Sequence, residues 1–298
     1  MTLANTVVMV RPASFGPDSE TLTTNAFQTK CFFEGSREAG RDEVDAFAEA
    51  LRTAGVRVFV IDEPEDLVRP NAVFPNNWFS THPDGTVVLY PMQAENRRLE
   101  RQIPVLATLK EHFHIEKILD MTGNEERGRF LEGTGSLVLD HDARLAWSCP
   151  SPRTDPSLLQ EWCGLMGFSA VPFEARGQDG RQIYHTNVVM ALGDGFAVVG
   201  SSLVEGPERV ITALADSRVV IELDSDQIEN FAGNMLALRA EDGSQVVAMS
   251  ERAWNSLKPD QRENVSQRAR VVSAQLTTIE QSGGSARCML AEIFLPRH

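Results

Sequence analysis

The chain has 298 residues, 42% hydrophobic and 23% charged, a globular balance long enough to bury a sizeable core. Its net charge of −14 and isoelectric point near 4.9 set it against nucleic acid and anionic membranes, which recruit Lys and Arg. No apolar run approaches the roughly 20 residues of a membrane span, and Met1 to Pro12 lacks the features of a signal peptide.

In chain order the predicted elements form five units of about 45–60 residues, each with paired strands, a helix and a closing strand. Unit one opens with the β-branched run Thr6–Arg11 and a polar loop from Pro12 to about Gln28. Its helix is expected over Asp42–Arg52, with acids in the first turn and Gly55 beyond the end, before a strand over Val56–Ile61. Unit two places Trp78–Thr81 and Thr86–Tyr90 around the turn Pro83-Asp-Gly85, then a helix near Pro104–His112 and a strand near Ile115–Leu119. Unit three pairs Gly135–Leu139 with Leu145–Trp147, starts a helix at Asp155-Pro156 and closes over Phe168–Phe173. Unit four pairs Asn187–Leu192 with Phe196–Val199, then has a helix over Pro207–Ala215 and a strand over Val219–Leu223. Unit five pairs Met235–Leu238 with Gln245–Met249, caps a helix at Ser250, and reads as helical again over Asp260–Gln275. A last strand is expected over Cys288–Phe294. Units this short cannot bury a core alone, so 1–298 reads as one α/β domain. The spacing fits a pseudo-fivefold ring and equally an α/β sandwich.

The four cysteines, Cys31, Cys149, Cys163 and Cys288, show neither a C-x-x-C pair nor zinc-finger spacing. Free thiols in a reducing cytoplasm are expected. Three segments at unit junctions carry residues capable of chemistry. In Ser282-Gly-Gly-Ser-Ala-Arg-Cys288-Met a glycine pair lets the backbone bend tightly before a thiol, and Arg287 lies beside it. In Ile183-Tyr-His185-Thr-Asn187 an imidazole stands at a strand mouth. In Phe130-Leu-Glu132-Gly-Thr-Gly135 a carboxylate could orient that imidazole or accept substrate N–H bonds. The first two have a structural reading too: a buried thiol and a backbone-bonded histidine. His82 and His141 fall in predicted turns and, with His112, His114 and His298, are expected to be solvated.

Together, Phe-Leu-Glu-Gly, His-x-Asn and Gly-Gly-x-x-Arg-Cys-Met resemble the pentein, or guanidino-group-modifying, superfamily of arginine deiminases, amidinotransferases and dimethylarginine hydrolases. Phe74-Pro-Asn-Asn-Trp-Phe79 and Tyr90-Pro-Met-x-x-Glu-Asn-Arg-Arg98 resemble the branch that includes citrulline-utilisation hydrolases. The resemblance spans nearly the whole chain. It implies a five-bladed α/β propeller with the site on its axis, Cys288 as nucleophile, His185 as acid–base and Glu132 as its support. It implies no metal or organic cofactor.

Arginine-directed relatives usually grip the guanidinium between two aspartates. The matching positions here read Asn76-Asn77 and Asn187. An amide both donates and accepts, which matches a ureido group better than a cation. The expected reaction is hydrolysis of L-citrulline to ornithine, ammonia and carbon dioxide through a covalent intermediate. Arg11, Asn25, Arg97 and Arg287 are candidates for the substrate α-carboxylate and α-amine, and the Pro12–Gln28 loop for a lid. An arginine deiminase or dihydrolase, an amidinotransferase and a propeller-type binding protein are the alternatives. The expected partner is a small amino acid, with homo-oligomerisation left open.

Overall fold

The computed structural model describes residues 1–29 and 32–298; Cys31 therefore lies outside the described residues. Among the described residues, fifteen short strands form five three-stranded sheets in a mixed α/β fold. In the first, β1 (Thr6–Arg11) runs parallel to β2 (Arg57–Asp62), with the helix Ser36–Thr53 between them. The next three repeat one pattern, an antiparallel hairpin whose second strand pairs in parallel with a third. They are β3 (Phe79–Thr81), β4 (Thr86–Leu89) and β5 (Lys117–Asp120); β6 (Leu137–Asp140), β7 (Leu145–Ser148) and β8 (Ser169–Pro172); and β9 (Met190–Gly193), β10 (Phe196–Val199) and β11 (Val219–Glu222). The fifth has β12 (Leu236–Arg239), β13 (Gln245–Ser250) and β14 (Arg270–Ala274). The last strand, β15 (Ala291–Glu292), returns to β1 with Val7 opposite Glu292 and Val8 opposite Ala291. The first sheet thus joins residues from both ends of the described chain.

The hairpin turns form where Gly or Asp was expected to bend the chain: Gly85, Gly195 and Gly243 all take positive φ. The middle strands are buried through, as Val87, Val88, Ala197, Val198, Val247 and Ala248 show, because helices cover one side and neighbouring sheets the other. No helix among the described residues is long and apolar enough to cross a membrane.

Four expectations are corrected. The stretch 260–275 is a helix only over Pro259–Ser266 and then the strand β14, because Val271, Val272 and Ala274 complete the fifth sheet. The openings of β6 and β9 are single helical turns, Gly133–Ser136 and Thr186–Val189, and Cys288 sits in a turn before β15. The first helix begins at Ser36, six residues before the expected Asp42. His82 is buried and His141 half-buried, packed among Trp162, Phe168 and Phe294.

Burial, then the neighbouring His141, pushes the His82 imidazole down to about 3. Its Nε2 bonds Ser80 Oγ at 2.9 Å, and its Nδ1 has no partner among the described residues. A base held below its unfolded value of about 6.5 costs stability as pH falls from that value toward 3, at up to about 1.4 kcal/mol per pH unit. Above pH 7 both states are neutral and the cost vanishes. His82→Gln should therefore lose stability between pH 7 and 5 about 2 kcal/mol less than wild type, measured by urea titration. Parallel losses in the two proteins would show that His82 is not the sensitive group.

Candidate active site

In each of the five sheets a polar residue stands shortly before one edge strand. Asn77 precedes β3, Glu132 precedes β6, His185 precedes β9, Asn234 precedes β12 and Cys288 precedes β15. Asn77, His185 and Cys288 line one small, tightly packed cavity together with Arg97, Arg153 and Tyr184. Glu132 stands behind His185, fully buried.

The His185 Nε2 lies 2.9 Å from Glu132 Oε2. An ionised carboxylate can only accept, so a neutral imidazole carries its proton on Nε2 and leaves the Nδ1 lone pair open. Gly135 makes this possible: a Cβ there would stand 2.6 Å from His185 Nδ1 and 2.5 Å from Asn77 Nδ2. Burial pushes His185 down to about 4 against the pull of Glu132, so the ring is neutral at pH 7. Burial also pushes the Glu132 carboxyl up, but Arg153, His185 and Arg97 outweigh it and hold the group down at about 2. Arg153 Nη1 lies 3.6 Å and Arg97 Nη1 3.9 Å from Glu132 Oε2. Two buried guanidinium groups therefore already surround this carboxylate.

Arg97 is also gripped by Glu100 through Nε at 2.7 Å and Nη2 at 3.0 Å. Its Nη1 donates to Asn77 Oδ1 at 2.8 Å. Because guanidinium only donates, this bond orients the Asn77 amide, with its oxygen toward Arg97 and its N–H groups turned away. One of those N–H groups goes to Asn76 Oδ1 at 3.0 Å. Asn76 itself is buried behind the cavity wall.

Cys288 Sγ receives two amides, Asn187 Nδ2 at 3.5 Å and Asn234 Nδ2 at 3.3 Å. Before it, Gly283 takes φ +78° and abuts Asn25, whose Nδ2 donates to the carbonyls of Ser282 and Gly283 at 3.3 Å each. Asn25 thus ties the Pro12–Gln28 loop over the glycine turn. Arg153 ties the same loop from the other side, donating to Thr24 Oγ1 at 2.7 Å. The loop packs toward Cys288, where a lid would sit.

Of the expected substrate-binding residues, Asn76, Asn187, Arg11 and Arg287 do not line the cavity. Arg11 ends β1, a middle strand, and pairs with Asp45 and Asp62 at the surface. The Arg287 side chain pairs with Glu292 at 2.8 Å and lines a separate cavity beside Met1 and Leu3. Sequence reasoning missed Arg153, Asn71, Tyr184 and Asn234. Asn71 lines the cavity, and its buried Oδ1 has no partner among the described residues, an acceptor suited to an ammonium or N–H group. No group of three or more His, Cys, Asp or Glu that could hold a metal occurs among the described residues.

The sequence model of the family described as eukaryotic N,N dimethylarginine dimethylhydrolase matches residues 11–295. The chain belongs to that family. As a dimethylarginine dimethylhydrolase-family member it is a guanidino-modifying hydrolase of C–N bonds within the pentein superfamily, in keeping with the resemblance read from the motifs. The family's fold extends to solved structures. The N-terminal domain of ArgZ, covalently bound to a reaction intermediate, shares 17% identity at a TM-score of 0.75, with 98% of this chain and 99% of that one covered. Unliganded AgrE shares 16% at 0.77, covering 98% of this chain and 40% of that one. A mutant of the dimethylarginine dimethylhydrolase from Pseudomonas aeruginosa, complexed with citrulline, shares 14% at 0.68, covering 98% and 100%. At these identities the likeness is one of fold. No curated protein sequence matches the chain.

Proposed function

We propose that this dimethylarginine dimethylhydrolase-family chain is a single catalytic domain, a closed five-bladed propeller, that hydrolyses the ureido group of L-citrulline to ornithine, ammonia and carbon dioxide. Ring closure is supported by packing of inner strands across sheet boundaries, β6 on β9, β9 on β12 and β15 on β3. The covalent route is supported by the ArgZ structure that holds a covalent intermediate.

One observation carries the substrate reading: Arg97 holds the oxygen of Asn77, which favours its amide N–H as the group a substrate meets. A ureido oxygen accepts that N–H, whereas a guanidinium has only donors and would leave it unpaired. The two guanidinium groups around Glu132 add to the case, because arginine would bring a third cation against them.

In the proposed reaction His185 Nδ1 takes the Cys288 proton, and the thiolate attacks the ureido carbon, forming a C–S bond. The imidazolium, held by Glu132, returns the proton to the departing terminal nitrogen as its C–N bond breaks, and ammonia leaves. His185 then deprotonates water, which attacks the thiocarbamate carbon and releases the thiolate. The resulting carbamate of ornithine loses carbon dioxide.

The second reading, a guanidino substrate, is favoured by ArgZ, described as an arginine dihydrolase, and by the charge that Glu132 retains. Side-by-side assays of ornithine and ammonia release separate the two. Wild type should prefer citrulline over arginine by at least roughly 100-fold in kcat/KM. Asn77→Asp should move that preference at least roughly tenfold toward arginine, since a carboxylate welcomes the cation. Faster turnover of arginine by wild type would sink the ureido reading while leaving the Cys288 chemistry standing.

A further inference from the structure

The fifth unit contributes Asn234, and nothing in the His185–Glu132 pair or the Asn77 contact calls on it. It lies between Gly233 and Met235 and is wholly buried. Every polar atom of its side chain is used. Oδ1 accepts the backbone N–H of Arg287 at 3.0 Å. Nδ2 donates to the Asn187 carbonyl at 2.9 Å and to Cys288 Sγ at 3.3 Å. The first of these bonds fixes the amide, because a backbone N–H can only donate and must face the oxygen. The nitrogen therefore points at sulfur. Asn187 Nδ2 reaches the same sulfur at 3.5 Å from the neighbouring unit, and its Oδ1, at 3.9 Å, can accept the S–H of the thiol form. No charged side chain among the described residues hydrogen-bonds Sγ, so the role often filled by a histidinium or a lysine falls to two neutral amides.

From this geometry we infer that Asn234 is a catalytic residue that holds the Cys288 thiolate, acting with Asn187 as an amide cradle for the sulfur anion. The inference rests on Cys288 being the nucleophile. A thiolate accepts hydrogen bonds far better than a thiol, so donors aimed at Sγ favour the ionised form. Asn234 also grips the peptide just before Cys288, so one side chain both aims the sulfur and stabilises its charge. When the C–S bond forms, the sulfur loses its negative charge and the hold weakens. It returns as the thiocarbamate is cleaved and the thiolate leaves again.

The test uses Asn234→Asp and Asn234→Ala in the full chain. Asp keeps an oxygen for the Arg287 N–H but turns the sulfur-facing donor into an acceptor. Iodoacetamide labelling of Cys288, read at the peptide level without substrate from about pH 5 to 10, gives the midpoint of the rate curve. That midpoint should rise by at least about one pH unit in Asn234→Asp, and rise in Asn234→Ala as well. An unchanged midpoint in either variant that melts like wild type overturns the proposal. Wild type gives an independent readout. The Asn234 side-chain amide protons, observed by NMR, should shift as Cys288 titrates, and a signal that stays fixed through that titration overturns the proposal too. Because none of these measurements needs turnover, a failure to hydrolyse citrulline would overturn the substrate reading and leave this one intact.

Discussion

Cys288→Ala should lower citrulline turnover by at least roughly 10⁴-fold while moving stability by only about 1 kcal/mol. The two effects separate because the sulfur is at once the proposed attacking atom and a minor packing element. Cys288 is buried beside Ala286, Met289 and Leu290, so the change removes a single heavy atom from a packed turn. Without it the cavity keeps Asn77, His185 and the two guanidinium groups, and so still binds, but no thiocarbamate can form. Binding of citrulline measured by calorimetry should survive, with ammonia release lost. The other described thiols provide the contrast. Burial pushes Cys149 well up and Cys163 up to about 11, and neither lines the cavity. Their alanine variants should turn over normally. Residual Cys288→Ala activity above about a tenth of wild type would end the covalent mechanism.

The second large effect falls on Glu132→Gln, which should cost roughly 3–5 kcal/mol of stability and roughly 10³-fold in kcat/KM together. Glu132 is wholly buried between Arg97, Arg153 and His185. Glu100 still balances Arg97, but Arg153 has no other carboxylate within ion-pair distance among the described residues. Removing the charge therefore strands a cation in the interior. The same change lets the amide donate to His185, which would place the imidazole proton on Nδ1 and block the proposed base. The Gln93 backbone N–H donates to Glu132 Oε1 at 3.0 Å, and by keeping the Gln oxygen on that side it turns the new NH₂ toward His185. Chemical denaturation and steady-state kinetics on the same preparation check both losses. A variant as stable as wild type would show that the buried cations do not depend on this carboxylate.

Much of this fold is legible in the sequence because its punctuation is local. Pro83-Asp-Gly85, Gly193-Asp-Gly195 and Glu241-Asp-Gly243 each need a left-handed glycine, and each forms a hairpin. What fails is decided by distant partners. Arg270–Ala274 carries only two β-branched residues within a polar run, and it becomes a strand because β13 offers it an open edge. His82 sits in a turn that looks wet until Trp162 and Phe168 close over it. In the site, Cys288, His185 and Glu132 are flanked by glycines and apolar runs, which gives them a signature. Arg153 and Asn234 have none: a Ser-Pro-Arg bend and a Gly-Asn turn are common loop chemistry. Asn77 was legible as an amide, but its orientation was not, since that depends on Arg97, 20 residues away.

The pairing of β15 with β1 ties the timing of folding to the onset of chemistry. The proposed nucleophile arrives on the turn that leads into the last strand, whose partner is the first strand of the chain. Closing so long a loop comes late and slowly in a folding reaction. Until it closes, the His185–Glu132 pair can exist without a sulfur to activate. On the proposed mechanism, a chain in which this strand has not yet paired would be chemically silent, and the proposed nucleophile would not meet the proposed base before the core was complete.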